Sequence, residues 1–429
     1  MTYKDIPKSI VSFMEQITEK CGSEHTNWAE NFNAAFANTL LTTVKRQEDG
    51  TTFLLTGDIP AMWLRDSTAQ VRPYLVVAKE DSDLADMIAG LVKKQFFYIT
   101  IDPYANAFNE TANGAGHQTD HTEMNDWIWE RKYEIDSLCY PVQLAYLLYK
   151  NTGRQDQFNA DFVRGIDKLL TVFETEQDHN QSLYSFERET TRQEDTLVNQ
   201  GRGAEVVPTG MTWSGFRPSD DACQYGYLVP SNMFAVVILG YLEELFTEVL
   251  KDEEVVARAH KLKTEIQSGI EEYGRTINQA GETIFAYEVD GKGHATIMDD
   301  SNVPNLISAP YLGYGSIDES TYLATRKTLL SKENPYFYEG KFAKGIGSSH
   351  TPENYVWPIA LAMEGMTTND KGEKERILNQ LVATDGGTHL MHEGFDVNNP
   401  NQYTREWFSW ANMMFCELVM DYFDIRVEK

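Results

Sequence analysis

The chain has 429 residues, 41% of them hydrophobic and 24% charged, with a net charge of −28 at pH 7. That balance is ordinary for a globular protein and supplies ample apolar material for a core. The acidic excess gives a solvated surface that repels phosphate backbones and anionic lipid, so neither nucleic acid nor membrane is an expected partner.

In chain order, residues 5–20 place Ile6, Ile10, Phe13, Met14 and Ile17 on one side of a helix, and residues 28–41 predict a second helix. Asp49-Gly50, between Val44 and the run Phe53-Leu54-Leu55, predicts a hairpin over 42–56. Gly57–Tyr74, GDIPAMWLRDSTAQVRPY, follows as a polar loop that runs into a helix. Trp63 offers an apolar face, Arg65 a fixed fork of donors, and Asp58 and Asp66 two carboxylates, while Pro60 stiffens the loop. Such a set can hold a sugar, with one ring face on the indole and the hydroxyls in charge-assisted hydrogen bonds. The same residues also fit a core Trp and a structural ion pair capping the helix.

Beyond this loop the chain is mostly helix of two alternating kinds. One kind carries a single apolar stripe: 28–41, 82–98, 155–175, 253–274, 318–331 and 372–382. The other is apolar nearly all round or interrupted by proline: 66–78, 136–149, 231–246, 304–313, 354–364 and 404–422. The alternation predicts a double ring of inner and outer helices, and an (α/α)6 barrel satisfies the count. A second short hairpin is expected at 284–297, turning at Asp290-Gly291. No linker rich in Pro, Gly or Ser splits the chain, so one domain over 1–429 is expected.

Cys21, Cys139, Cys223 and Cys416 stand far apart with no C-x-x-C, which gives no zinc cluster. Cys139 and Cys416 fall in apolar helical stretches and are expected as buried thiols. The N-terminal stretch MTYKDIPKSIVSFMEQ lacks a charged-then-apolar signal layout, and no run of about 18 apolar residues occurs, so a reducing cytoplasmic setting is expected.

Each polar block lies just before, or opens, an expected inner helix. Gly57–Asp66 precedes the first, Tyr133–Asp136 opens the second, and Arg217–Asp221 precedes the third. Asp299–Asn302, Gly345–Glu353 and His392–Arg405 precede the fourth, fifth and sixth. In a double ring all inner N-termini face one end, so the blocks are expected to meet in one pocket rimmed with Trp, Arg, Asp, Glu and His. GHQTDH places His117, Asp120 and His121 at a spacing that resembles a metal clip, but no further ligand cluster joins them. Asp299-Asp300 lacks the ligand pattern of a calcium loop, so no metal is assigned. Trp407, Phe408 and Trp410 are expected as core.

The blocks closely resemble the signatures of glycoside hydrolase family 125, the exo-acting α-1,6-mannosidases. The resemblance runs through GDIPAMWLRDSTAQVRPY, YEIDSLCYP, GFRPSDD, MDDSNVPNLISAPY, GIGSSH, HEGFD and YTREWFSWAN. It implies an (α/α)6 barrel and inverting, metal-independent release of terminal mannose from α-mannosides such as trimmed N-glycans. It places the general acid at Asp220 and the general base at Glu393, and no cofactor is expected. Substrate holding falls by motif match to Asp58, Trp63, Arg65, Asp66, Asp136, His350, Tyr403 and Arg405. Glycoside hydrolysis needs one protonated and one ionised carboxyl group, which the two acids would supply. The residues alone do not separate Asp220 from Asp221, and His350 fits a structural histidine equally well. Another α-glycosidase, a glycoside phosphorylase or a non-catalytic carbohydrate-binding protein are the other readings; a phosphorylase would need more basic groups than Arg65, Arg217 and Arg405.

Overall fold

The computed structural model describes residues 3–429. It is rich in helix, its strands are short, and the contacts divide it into two compact units. The first holds the described residues up to Gln95 together with Leu144–Asn159 and Tyr338–Lys429; the second holds Phe96–Gln143 and Ala160–Phe337. The division falls inside helices Ser82–Ile101 and Ile135–Thr152.

In the first unit, helix Ser409–Tyr422 is buried on every side from Ser409 to Met420. It packs on Thr26–Thr42, Leu64–Val71, Pro358–Met366 and Lys371–Ala383. Pro358–Met366 is buried from Pro358 to Gly365, as a helix apolar nearly all round should be, while Leu64–Val71 is buried at every residue although it carries Arg65, Asp66 and Gln70. The striped helices bury one face only. In Lys8–Cys21 that face is Ile10, Phe13, Ile17 and Cys21, and the Phe13 ring meets Phe32 and Phe36. The expected helix 66–78 breaks at Pro73 into Leu64–Val71, a tight turn Arg72–Tyr74, and Leu75–Ala78. The hairpin after Thr42 forms as expected, with Val44 opposite Leu54 and Gly50 in the left-handed region.

In the second unit, Val229–Glu248 packs along Glu253–Tyr273, which also meets Ala160–Glu176. By length and composition Val229–Glu248 could cross a membrane, but 67% of its most apolar window is buried inside the protein. The expected inner helix 304–313 shrinks to Ala309–Leu312, with Pro310 in its first turn and Gly313 left-handed at its end. The hairpin expected at 284–297 forms in short form: Val289 bridges Ala295, and backbone bonds join Tyr287 and Glu288 to Thr296. A further hairpin pairs Arg275–Ile277 with Thr283–Phe285. All four cysteines are free; Cys139 and Cys416 are buried, and burial pushes both thiols up.

Candidate active site

The first unit carries three of the polar blocks. Gly57 turns there with φ +62°, and a Cβ at this position would lie 2.4 Å from the Trp407 carbonyl oxygen. Only glycine lets the two loops approach so closely. Arg405 then joins them: its Nε and Nη2 donate to Asp58 Oδ1 at 2.9 and 2.5 Å, and Nη2 donates to the Thr56 carbonyl at 2.9 Å. Its Nη1 stands 3.7 Å from Glu393 Oε1, and its guanidinium lies over the Phe408 ring. Arg405 has φ +43°, a conformation an arginine adopts only when its surroundings impose it. Glu393 is 7% exposed and opens the strand Gly394–Asp396, which pairs with Asn399–Thr404 so that Phe395 faces Tyr403. The Tyr403 ring stacks on His392 at 3.7 Å, and the His392 ring nitrogens face the carbonyls of Glu406 and Asp385.

Arg65 and Asp66 open helix Leu64–Val71. Both are buried, with Arg65 Nε 3.4 Å from Asp66 Oδ2 and the guanidinium 5.6 Å from the Trp410 ring. A first-turn carboxylate also suits the positive end of the helix. His350 is half-buried, with its ring edge-on to Trp357 at 6.3 Å. Phe408 and Trp410 are core, as expected, and Trp407 is half-buried. The indole N–H groups of Trp63, Trp407 and Trp410 are buried and meet no protein acceptor. Buried donors of this kind call for a polar partner, which a sugar hydroxyl can supply.

The second unit carries the other blocks. Asp136 is fully buried in the first turn of Ile135–Thr152. Tyr133 accepts from the backbone N–H groups of Gly215 and Phe216 at 3.2 and 3.0 Å, tying its block to GFRPSDD. That motif folds as a tight hairpin loop. Phe216 bridges Ala222, Arg217 N–H donates to the Asp221 carbonyl at 2.8 Å, and Asp220 N–H donates to the Arg217 carbonyl at 2.9 Å. Pro218 stands where a turn favours proline, and Asp220 occupies the left-handed position at φ +66° that glycine usually fills.

The two adjacent acids part company in this loop. Asp221 is fully buried and takes Arg192 Nη2 on both oxygens, at 2.9 and 3.2 Å. Asp220 is half-buried, with Asn106 Nδ2 3.4 Å from its Oδ1 and Lys132 Nζ 2.7 Å from its carbonyl oxygen. Arg217 Nε donates to Glu288 Oε1 at 2.6 Å. Burial opposes the Arg217 charge, but Glu288 outweighs it and holds the guanidinium well above its ordinary value. Asp299 and Asp300 are fully buried, and burial pushes both carboxyls up. Asp299 accepts from the N–H groups of Leu306 and Ile307, so it organises its own loop.

In GHQTDH, Arg188 engages both oxygens of Asp120, His117 approaches Glu130 at 3.7 Å, and His121 approaches Glu189 at 3.8 Å. Among the described residues no group of three or more His, Cys, Asp or Glu is arranged to hold a metal ion. The sequence reading missed Lys132, Asn106 and Arg192, which contact Asp220 or Asp221. The one local signal was Arg131-Lys132 placed directly before the Tyr133 block, where charge is unusual for a chain entering a buried helix.

Comparison with solved structures first gives the fold class. A bacterial glucoamylase complexed with acarbose matches 97% of this chain and 58% of its own, at TM-score 0.59 and 11% identity, which marks a glucoamylase-like helical fold. Residues 25–420 match glycoside hydrolase family 125, the metal-independent α-mannosidases, and the chain belongs to this family. It is 57% identical to a Streptococcus pneumoniae metal-independent α-mannosidase solved in a non-productive complex with α-1,6-mannobiose, over 99% of this chain and 100% of that one, at TM-score 0.97. It is also 35% identical to the meiotically up-regulated gene 157 protein of Schizosaccharomyces pombe, over 96% of this chain and 85% of the relative.

Proposed function

We propose that this α-mannosidase acts from the non-reducing end on α-1,6-linked mannose, with inversion, on oligosaccharides such as trimmed N-glycans. Asp220 protonates the leaving oxygen and Glu393 activates the water. The observation that carries the linkage is the 57% identical relative crystallised with α-1,6-mannobiose. The acid assignment draws support from the GFRPSDD loop, in which Asp221 is committed to Arg192 while Asp220 is the more exposed carboxyl. Asp58, Trp63, Arg65, Asp66, Asp136, His350, Tyr403 and Arg405 bind the sugar, directly or by aligning one another. A phosphorylase reading is disfavoured because Arg65 neighbours Asp66, Arg217 is bonded to Glu288 and Arg405 to Asp58. The glucoamylase-like similarity supports one (α/α)6 barrel domain over 1–429, and the free thiols suit a reducing cytoplasmic setting. The test is a panel of mannobioses differing only in linkage, assayed after exhaustive chelation. The α-1,6 isomer is expected to be cleaved fastest, at a rate that chelation leaves unchanged. Faster cleavage of another linkage would overturn the specificity.

A further inference from the structure

We infer that Lys132 is a positioning residue for the general acid: its ammonium grips the main chain of Asp220 and so aims the carboxyl. The inference rests on the reading of Asp220 as the acid. Asp220 holds a left-handed backbone, uncommon outside glycine though aspartate tolerates it, and its neighbours fix it there. Lys132 is 2% exposed, and its Nζ donates to the Asp220 carbonyl oxygen at 2.7 Å while lying 5.1 Å from the centre of the Phe216 ring in the same hairpin. Its backbone N–H donates to Asn106 Oδ1 at 3.1 Å, and Asn106 Nδ2 reaches the Asp220 carboxylate. Lys132 thus grips the main chain of Asp220, and Asn106 reaches its side chain.

A lysine that grips the main chain can aim an acid without itself pairing with the carboxyl, where its charge would favour the ionised form. Lys132 meets the carbonyl, and acids close to it balance its charge. Asp195 Oδ1 lies 3.3 Å from Nζ and Glu130 Oε2 3.9 Å away. Glu130 is fixed in turn by Arg188 at 2.8 Å and by Asn106 at 3.1 Å. A buried lysine with two acid partners could serve the fold alone, so the test must separate aim from stability.

Lys132→Met keeps the unbranched apolar stem as far as Cε and removes the donor. Misaiming a catalytic group by an ångström can cost about 10²-fold, so turnover of α-1,6-mannobiose should fall by about that factor. Hydrolysis of 2,4-dinitrophenyl α-mannoside, whose leaving group needs no proton, should barely change. Lys132→Gln, with a neutral donor one bond shorter, should show the same selectivity to a smaller degree, and it carries the test if Lys132→Met fails to fold. Equal losses on both substrates in a folded variant, or no loss on either, would overturn the inference. Asp220→Ala is measured alongside. If it too loses equally on both substrates, the acid assignment fails; if it is selective while the Lys132 variants are not, only the positioning role fails.

Discussion

At the scale of single residues, two of the proposed site residues share an uncommon backbone conformation. Asp220 and Arg405 are both left-handed, and each is pinned by charged or polar partners. Natural chains keep such conformations where the geometry is needed for more than folding. Asp220→Gly separates the two demands. Glycine relieves the backbone cost of roughly 1–2 kcal/mol but adds about 1 kcal/mol of unfolded-chain entropy. Thermal unfolding should therefore show unchanged or slightly higher stability. Activity on α-1,6-mannobiose should fall by about 10²–10⁴-fold, the usual contribution of a general acid. A marked loss of stability would mean that the contacts of the carboxylate outweigh the strain of its backbone. Tolerance to glycine at Asp220 should not extend to alanine at Gly57, where the Trp407 carbonyl leaves no room for a Cβ.

At the scale of elements, the proposed chemistry lies in the polar loops and the striped helices serve the fold. Glu253–Tyr273 is a striped helix bearing none of the polar blocks. Its N-cap, Asp252, accepts from the N–H groups of Glu254 and Val255 at 3.0 and 3.2 Å. Asp252→Ala should cost about 1 kcal/mol in urea unfolding and leave kcat unchanged, as loss of an N-cap does. Most of the striped and all-round helices were legible because their apolar spacing is set by burial within each helix, whereas the expected 66–78 and 304–313 were cut short at Pro73 and Pro310. The hairpin at Arg275–Phe285 was not legible: its first strand is largely exposed, and the five residues from Asn278 to Glu282 carry no two-residue turn signal. Asp290-Gly291 does turn the chain, with Val289 opposite Ala295, but the Asp290 carboxylate accepts from the N–H groups of Lys292 and His294, a polar loop that keeps the pairing short.

At the scale of the whole molecule, the family blocks were legible because each is contiguous in sequence. Lys132, Asn106 and Arg192 were not, because each reaches the SDD loop from 29 to 114 residues away, and apart from Arg131-Lys132 beside the Tyr133 block no local pattern announces such contacts. The acidic net charge speaks to solubility and says nothing of mechanism. The proposed reaction is a single displacement at the anomeric carbon, with Asp220 as acid and Glu393 as base. Proton NMR of the first moments of α-1,6-mannobiose hydrolysis, before mutarotation mixes the anomers, distinguishes it from a double displacement. β-Mannose is expected to appear first; α-mannose appearing first would contradict a single displacement and require a carboxylate nucleophile with a covalent intermediate.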